Sequence, residues 1–406
     1  MPLDSQACVL PQDQSDRITL SLILLFAFAT GVIVTNLFAP QTLIGLIGPS
    51  LGLSESGAGL TVMAPLIGYS AGLFFVVPLA DLVENRRLVL LMLGAAVLAA
   101  AASALAPGIL TLLAAFFVLG MASSVIQVLV PIAASLAAPD RRGAVIGDVM
   151  SGLMIGILLS RPLASLLAAQ WGWRAFYGSS AVAMMALGIV LAFRLPPRAP
   201  RSATPYPALI ASLWTLFRGE RALRQRSLTA GLVMAAFSLF WSAVALELSR
   251  PPFSLGQYGI AVFALLGAGG ACATSLFGRL GDRGWTRPAT MASHGLLIVA
   301  MSLAAWAGWA GNGAILVPLA ALATSAFLLD FAVTGDQTLG RRAVNLLNPE
   351  SRGRLNGIFV GLFFVGGAIG SAISGLLFAE GGWPAICFAA ALFGLVALIA
   401  QALARQ

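Results

Sequence analysis

Long apolar stretches separated by short polar loops run through almost the whole chain of 406 residues. A membrane-spanning helix needs about 20 consecutive apolar residues, and twelve stretches approach or exceed this length. They cover residues 18–39, 56–80, 88–106, 109–132, 143–168, 174–194, 227–249, 256–278, 288–309, 313–338, 353–378 and 384–403. The pattern therefore predicts an all-α membrane protein with twelve transmembrane helices.

The second half of the chain repeats a stretch of the first half. Residues 139–173 align without a gap with residues 349–383, a constant shift of 210 (349 − 139), and ten of the 35 positions are identical. The identities include the pairs Arg142/Arg352, Gly156/Gly366, Gly172/Gly382 and Trp173/Trp383. Internal repeats in a membrane protein are typical of transporters whose site lies between the repeats. We therefore predict two pseudo-symmetric six-helix bundles, at residues 1–194 and 227–406.

A polar segment at residues 195–226 separates the two predicted bundles. It begins as a proline-rich linker and continues with an apolar helical face that includes Leu209, Leu213 and Leu216, followed by several arginines. This combination is typical of an amphipathic helix that lies on a membrane surface. We predict a cytoplasmic linker with such a helix, and a passive tether is the simplest interpretation of its role.

Composition excludes several classes of protein. Only 9% of the residues are charged and 59% are apolar, whereas a soluble domain has about 25% charged residues. All 23 basic residues are arginines, which excludes the lysine-containing phosphate loop of ATP-driven enzymes and a lysine Schiff base. His294 is the single histidine, and the three cysteines are scattered among apolar residues, so zinc-protease motifs and a disulfide framework are excluded. We expect no enzymatic activity and no cofactor.

The arginines concentrate at one end of the predicted helices. Loops at this end hold Arg86, Arg87, Arg141, Arg142, Arg279, Arg283, Arg287, Arg341, Arg342, Arg352 and Arg354. Loops at the other end hold almost none, with Arg174 and Arg250 as the exceptions. The positive-inside rule places the arginine-rich end in the cytoplasm, and an even number of helices places both termini there. The net charge of +8 is thus a sign of topology and of attraction to anionic lipids rather than of nucleic-acid binding.

Two loops at equivalent places in the halves share a motif. The first, at residues 78–87, reads PLADLVENRR, and the second, at residues 278–287, reads GRLGDRGWTR. Their charged residues include Asp81, Arg86, Arg87, Asp282, Arg283 and Arg287. The second loop closely resembles the GxLaDRxGRR signature of the major facilitator superfamily, and the first resembles it more loosely. The resemblance implies two six-helix bundles around a central cavity that opens alternately to the two sides of a bacterial inner membrane.

The same resemblance implies a role for the two aspartates. A carboxylate is stabilised at the positive N-terminal end of a helix. By family precedent Asp81 caps the eleventh helix near Gly353 and Asp282 caps the fifth near Gly143. These contacts would hold the inner side shut in the outward-facing state. Alternatively, the charges only mark the cytoplasmic side.

The fifth predicted helix carries a partial resemblance of its own. Gly147 and Gly156 have the spacing of the GxxxxxxxxGxxxGPxxGG signature of the superfamily's drug–proton antiporters, but Ser160, Arg161 and Pro162 replace its Gly-Pro. The resemblance implies proton-coupled export, and the departures count against it. Small residues spaced four apart also predict close helix packing or, alternatively, a surface on which the halves slide as they rock. They are Gly143, Gly147 and Ser151, and Gly152, Gly156 and Ser160, with Gly353, Gly357 and Gly361, and Gly366, Gly370 and Ser374 in the other half.

A polar stripe lies inside the tenth predicted helix. Asp330, Thr334 and Gln337 are spaced i, i+4, i+7 and share one face, and the repeat shift lays the last two over Ser124 and Gln127 of the fourth helix. Polar groups inside a membrane usually mark functional sites, so the stripes predict the walls of a central cavity. Burial disfavours the charged form of a carboxyl group, which suits Asp330 to bind and release a proton.

Arg161 lies about 18 residues, or ~27 Å, along the fifth helix at 1.5 Å per residue. Glu247 lies about as far along the seventh helix, so the two could pair as an outer gate or an anion anchor. Alternatively, Arg161 reaches the interface and binds backbone carbonyls. Asn36 and Trp241 are candidates for further cavity-lining contacts.

Three other titratable residues lie closer to the inner ends of their helices. Asp148 is expected to be a charge beside the gate. Asp336 is expected to pair with Arg341 or Arg342, and His294 is expected to be structural.

These patterns together predict a monomeric secondary transporter. The favoured function is proton-coupled export of a small organic, amphipathic or drug-like molecule by alternating access. One alternative is an importer or facilitated-diffusion carrier of a small metabolite. The other is a non-transporting membrane scaffold or sensor with the same fold.

Overall fold

The computed structural model describes residues 18–198, 204–267, 269, 273–309, 315–348 and 351–404. Regular structure within these ranges is helical throughout. The chain termini, which were predicted to be cytoplasmic, lie outside the described residues, as do Cys8 and Cys272.

The first half of the chain forms nine helices. They are α1 (Leu20–Phe38), α2 (Pro40–Ser50), α3 (Glu55–Ala58), α4 (Leu60–Ala71), α5 (Asn85–Ala104), α6 (Ile109–Ser123), α7 (Ile126–Leu136), α8 (Arg142–Trp171) and α9 (Trp173–Arg194). Two further helical turns, Gly72–Val76 and Val77–Asp81, extend α4. Helix α1 ends at Phe38, shortly before Pro40, whose nitrogen has no hydrogen to continue the helical hydrogen bonds. The first predicted span is therefore followed directly by a second helical segment, which begins at Pro40.

Seven helices follow in the second half. They are α10 (Tyr206–Gly219), α11 (Arg221–Ser249), α12 (Gln257–Gly267), α13 (Ala273–Asp282), α14 (Thr286–Trp309), α15 (Leu316–Asn345) and α16 (Arg352–Ala402). Helix α10 lies in the segment predicted to be an amphipathic linker helix, and Leu209 is its buried residue. Ten helical segments of the described ranges are long and apolar enough to cross a membrane.

All twelve predicted spans correspond to helices. The eighth span comprises α12 and α13, and the last two spans are both contained in α16, which changes direction at Gly382 (φ 61°). Its repeat partner Gly172 has φ 79° and separates α8 from α9. A positive φ is accessible to glycine at little cost, which explains why both repeats have glycine before the tryptophan.

Glycines of the repeat also bring helices together. An ideal Cβ on Gly156 of α8 would lie 2.3 Å from the carbonyl oxygen of Gly31, and one on Gly366 of α16 would lie 2.0 Å from that of Gly231. Only glycine allows such an approach of two backbones. The packing prediction is therefore confirmed for Gly152, Gly156, Gly366 and Gly370. It is wrong for Gly143, Gly147, Gly353 and Gly357, which face open space near the helix ends.

The two halves are separated at one end of the molecule and in contact at the other. We call the end where Arg86, Arg141, Arg283 and Arg342 lie the basic end, and the end with Glu55 and Arg250 the closed end. A cavity of about 1110 Å³ lies between the halves and reaches the basic end. At the closed end an ideal Cβ on Gly59 would lie 2.0 Å from the carbonyl oxygen of Ser371. The side chains of Glu55 and Arg250 form an ion pair across the same contact.

Candidate functional site

A buried ion pair links the two halves of the chain. Arg161 Nη1 of α8 lies 3.6 Å from Asp330 Oδ2 of α15. The indole Nε1 of Trp241, on α11, donates a hydrogen bond of 2.8 Å to Asp330 Oδ1. Arg161 Nε donates one of 2.8 Å to Gln41 Oε1, on α2. We call Gln41, Arg161, Trp241 and Asp330 the ion-pair cluster.

Aromatic rings surround the guanidinium of the ion-pair cluster. The Cζ atom of Arg161 lies 3.9 Å from the ring centroid of Trp241, 5.0 Å from that of Phe237 and 5.7 Å from that of Phe38. Cation–π contacts are strongest where the cation has lost its water, and Arg161 is only 2% exposed. These rings and Asp330 together offset the cost of burying a charge.

The ion-pair cluster keeps unused hydrogen-bond donors. Arg161 Nη2 and Gln41 Nε2 are both buried and have no hydrogen-bond partner among the described residues. A buried donor without a partner costs about 1–3 kcal/mol. The cluster can therefore accept a further polar group beside Arg161 without first breaking the bonds it already has.

The carboxylate beside Arg161 is that of Asp330, and not that of Glu247 as predicted. Helix α11 begins at Arg221, well before the predicted start, so Glu247 lies further along its own helix than Arg161 lies along α8. Because Arg161 contacts Trp241, Glu247 lies about 9 Å further along α11 than the ion-pair cluster. Glu247 also follows Trp241, which faces the ion-pair cluster, by six positions. This spacing is not a whole number of helical turns, so Glu247 points to a different side of α11.

The predicted partners of Asp336 are also wrong. Its Oδ1 lies 3.0 Å from His294 Nε2, and both side chains are buried. Arg341 and Arg342 follow Asp336 by five and six positions, spacings that fall between one and two turns of a helix, so they point away from Asp336. Arg342 instead forms an ion pair with Asp282 at the basic end.

Only one residue of the two predicted polar stripes, Gln127, is among the residues that line the cavity. Gln127 lines it and donates a hydrogen bond of 3.2 Å to Tyr69 Oη. Ser124 is fully buried, bonds Met121 O at 2.7 Å and packs against Gly72 where α6 gives way to α7. The break between these helices turns Ser124 away from the cavity.

Thr334 and Gln337 are partly exposed and lie on the face of α15 that also carries Asp330. Arg341 continues this face, eleven residues after Asp330, and lines the cavity. The sequence contains this spacing, but Arg341 was interpreted there only as a sign of topology.

Asn36 packs inside the first half instead of lining the cavity. It accepts a hydrogen bond of 2.8 Å from Ser180 Oγ and donates one of 3.2 Å to Ile33 O. The side chain is 1% exposed. Its bonds therefore join α1 to α9.

The charged loop residues lie at the basic end. Asp81 and Gly353 both line the cavity, but α16 begins without a side-chain cap, so the predicted bond from Asp81 is not made in this conformation. Helix α8 likewise begins without a side-chain cap, and Asp282 is paired with Arg342 instead. The remaining predicted gate residues are also found here: Arg86 and Arg87 line a small groove, Arg287 bonds Ala402 O at 2.8 Å, and Asp148 and Arg283 are exposed.

An aromatic layer lies between the cavity and the ion-pair cluster. The ring of Tyr69, which binds the cavity residue Gln127, packs 4.6 Å from the ring of Phe364. Phe364 contacts Phe38 at 6.4 Å, and Phe38 contacts Arg161. This series of contacts leads from the cavity to the ion pair.

As for metals, no group of three His, Cys, Asp or Glu side chains in the described ranges is placed to hold an ion.

Comparison with known proteins supports the predicted fold. A sequence profile of the Major Facilitator Superfamily matches residues 22–339. The uncharacterized transporter YgaY of Escherichia coli O157:H7 is 37% identical over 384 residues, which are 93% of this chain and 94% of that protein. The inner membrane transport protein YdhP of the same organism is 24% identical over 378 residues, 88% and 89% of the two chains. The nucleoside transporter NupG, at 13% identity, has the same fold with a TM-score of 0.72 over 94% of this chain and 98% of its own.

Proposed function

Because the chain belongs to the major facilitator superfamily of membrane transporters, we propose that it exports a small organic, amphipathic molecule in exchange for protons. The bundles at residues 1–194 and 227–406, joined by the linker 195–226, are the two moving halves. The positive-inside rule supports a cytoplasmic location for the basic end. The membrane is the bacterial inner membrane, as the name of the relative YdhP suggests for that protein.

The observation that carries this proposal is the ion pair between Arg161 and Asp330. It joins α8 of the first half to α15 of the second, so its strength depends on how the halves sit against each other. Asp330 also accepts the indole hydrogen bond of Trp241. Titratable residues inside a membrane are rare and are used for ion and proton pathways. A carboxylate in this position can couple a proton to the movement of the halves.

The exchange cycle alternates between the two open states of the protein. With the basic end open, ionised Asp330 binds Arg161 and the cavity takes substrate from the cytoplasm. After the halves rock and the closed end opens, a proton from outside neutralises Asp330. The neutral acid binds Arg161 less tightly, because protonation removes the Coulomb attraction between the two opposite charges. Substrate leaves to the outside, the halves return, and the proton is released to the cytoplasm.

A second candidate is facilitated diffusion of a small metabolite. The observation that favours it is that Asp330 already has a positive partner and an indole donor. A carboxylate stabilised in this way could remain ionised throughout the cycle and act only in packing. Transport would then not respond to a pH gradient.

Asp330→Asn tests the proposal in proteoliposomes. Counterflow with labelled amphipathic compounds first identifies a substrate, and pH gradients of both signs are then imposed on the wild type and the variant. We expect the variant to lose gradient-driven transport and to keep counterflow, because an amide cannot carry the proton. Glu247→Gln is the matched control and should leave both activities intact. Full gradient-driven transport by Asp330→Asn would reject Asp330 as the coupling acid, and wild-type transport that ignores the gradient would favour facilitated diffusion.

A further inference from the structure

Arg341 reaches into the cavity from the wall formed by α15. It follows Asp330 by eleven residues, three helical turns further along the same face, and it lines the cavity. Side chains on a helix tilt toward its N-terminus, and α15 begins at the closed end. The side chain is therefore directed from the basic end into the interior.

The charge of Arg341 has no counterpart among the described residues. Four arginines but only one acid, Asp81, line the cavity. The other three arginines are held by the protein: Arg342 by Asp282, Arg352 by Asn345 O at 3.0 Å and Arg354 by Ser212 Oγ at 3.0 Å.

Arg341 differs from these three in its bonding. Its Nε atom is buried without a hydrogen-bond partner, and none of the ion pairs among the described residues includes it. A buried donor without a partner costs about 1–3 kcal/mol, so this nitrogen favours a ligand that accepts a hydrogen bond. The exposed arginines of the basic end, such as Arg279, carry no such cost, so the positive-inside rule alone does not account for Arg341.

The remaining cavity wall is mainly apolar. Besides Asp81 and the four arginines, the lining residues include Leu73, Val77, Val128, Ile132, Ile146 and Met150. The amide of Gln127, which is hydrogen-bonded to Tyr69, supplies a polar group to this wall. A volume of about 1110 Å³ lies just above the range of about 300–1,000 Å³ for pockets that hold drug-sized ligands. The wall therefore suits a compound with one acidic head group and an apolar body.

We propose that the substrate of this transporter is an organic anion whose acidic group binds Arg341. The inference rests on the proposed transport function and specifies its substrate class. Arg341 forms charge-assisted hydrogen bonds to the acid, and a guanidinium can hold a carboxylate through two parallel bonds. The apolar body lies against the aliphatic wall. Asp330 of the ion-pair cluster, where Arg161 is already paired, binds the proton.

Binding of matched compounds tests the inference in detergent, without any gradient. The probes are 4-phenylbutyrate, 4-phenylbutyramide and 4-phenylbutylamine, together with their naphthyl analogues, which share an apolar body and differ in charge. Thermal unfolding of the full-length protein is followed by tryptophan fluorescence with millimolar probe. We expect the carboxylates to raise Tm and the amides and amines to have little effect. Equal or stronger stabilisation by the amides or amines, or none by the carboxylates, would overturn the inference.

Variants identify the residue that binds the acid. Arg341→Gln should weaken carboxylate binding at least tenfold, Arg341→Lys should keep most of it, and Arg279→Gln, the same change on an exposed arginine outside the cavity, should keep all of it. Unchanged carboxylate affinity in Arg341→Gln would overturn the assignment to Arg341. If Arg341→Gln does not fold, the ranking of probes on the wild type and the Lys variant still decides the substrate class.

The two proposals fail in different ways. Carboxylate binding and counterflow that do not respond to a pH gradient would leave the substrate class standing and reject proton-coupled export. Proton-driven export of neutral or cationic compounds with no preference for anions would leave export standing and reject the substrate class.

Discussion

Replacing Gly59 with alanine should open the closed end of the molecule. Gly59 lies between α3 and α4 and faces α16, where an ideal Cβ would lie 2.0 Å from Ser371 O and 2.7 Å from Ser374 Oγ. The shortest ordinary contact of a Cβ is 3.4 Å, so the two backbones must separate by about 1.4 Å. Overpacking of this kind costs about 1–3 kcal/mol. The cost applies only while the halves touch here.

The expected result is a change in the population of conformations. A difference of about 1–3 kcal/mol changes an equilibrium roughly 5- to 150-fold, in favour of the state that is open at the present closed end. Labelling of a cysteine in the cavity measures this change. In a cysteine-free background, Met150→Cys places a thiol in the cavity wall, and an impermeant maleimide is added to inside-out vesicles. We expect Gly59→Ala to slow labelling, by up to the factor by which the equilibrium changes.

Two controls separate the contact between halves from a general packing defect. Gly147→Ala adds a methyl group where the structure has open space, and labelling should not change. Gly156→Ala is as crowded as Gly59→Ala, with its Cβ 2.3 Å from Gly31 O, but both residues are in the first half. It should lower Tm and leave the ratio of conformations alone. Unchanged labelling in Gly59→Ala, or equal slowing in Gly156→Ala, would refute the reasoning.

Other variants test the gate, a buried pair and the ion-pair cluster. Asp81→Ala should slow exchange without changing substrate affinity, because the predicted cap on α16 forms only when the basic end closes; normal exchange with weakened binding would contradict the gate role. His294→Ala removes the hydrogen-bond partner of the buried Asp336 and should lower the unfolding free energy by about 1–3 kcal/mol, measured in denaturant, whereas Asp336→Asn, which removes the charge, should cost less. Trp241→Phe keeps a ring near Arg161 but removes the bond to Asp330, a loss of about 1.5–3 kcal/mol. Gradient-driven transport should fall at least tenfold while binding persists, and transport at the wild-type rate would show that the indole bond is dispensable.

Helix positions and the repeat were predictable because they depend on local properties of the chain. Apolar length gave all twelve spans. The paired glycines Gly172 and Gly382 correspond to two turns with positive φ, and Gly156 and Gly366 to two close helix contacts. The spans and the turns depend only on the residue and its neighbours in sequence. The close contacts depend also on the absence of a side chain on the glycine, which the sequence shows directly.

Partners across helices were not predictable in the same way. Depth along a helix was the sequence argument for pairing Arg161 with Glu247, but depth depends on where each helix begins. It also leaves the rotation of the helix undetermined. The predicted start of α11 was six residues too late, so Glu247 was predicted to lie at the level of Arg161. The partner of Arg161 is instead Asp330.

The separation between Arg341 and Asp330 determines how substrate and proton can be coupled. An anion bound at Arg341 and a proton bound at Asp330 occupy groups eleven residues apart on α15, about 16 Å at 1.5 Å per residue, so neither displaces the other directly. Coupling must then pass through the contacts between them, from Tyr69 to Phe364, Phe38 and Arg161. Tyr69 and Phe38 belong to the first half and Phe364 to the second. A substrate that shifts Tyr69 therefore changes a contact between the halves, and we expect the ion pair to respond to that movement rather than to the charge of the substrate.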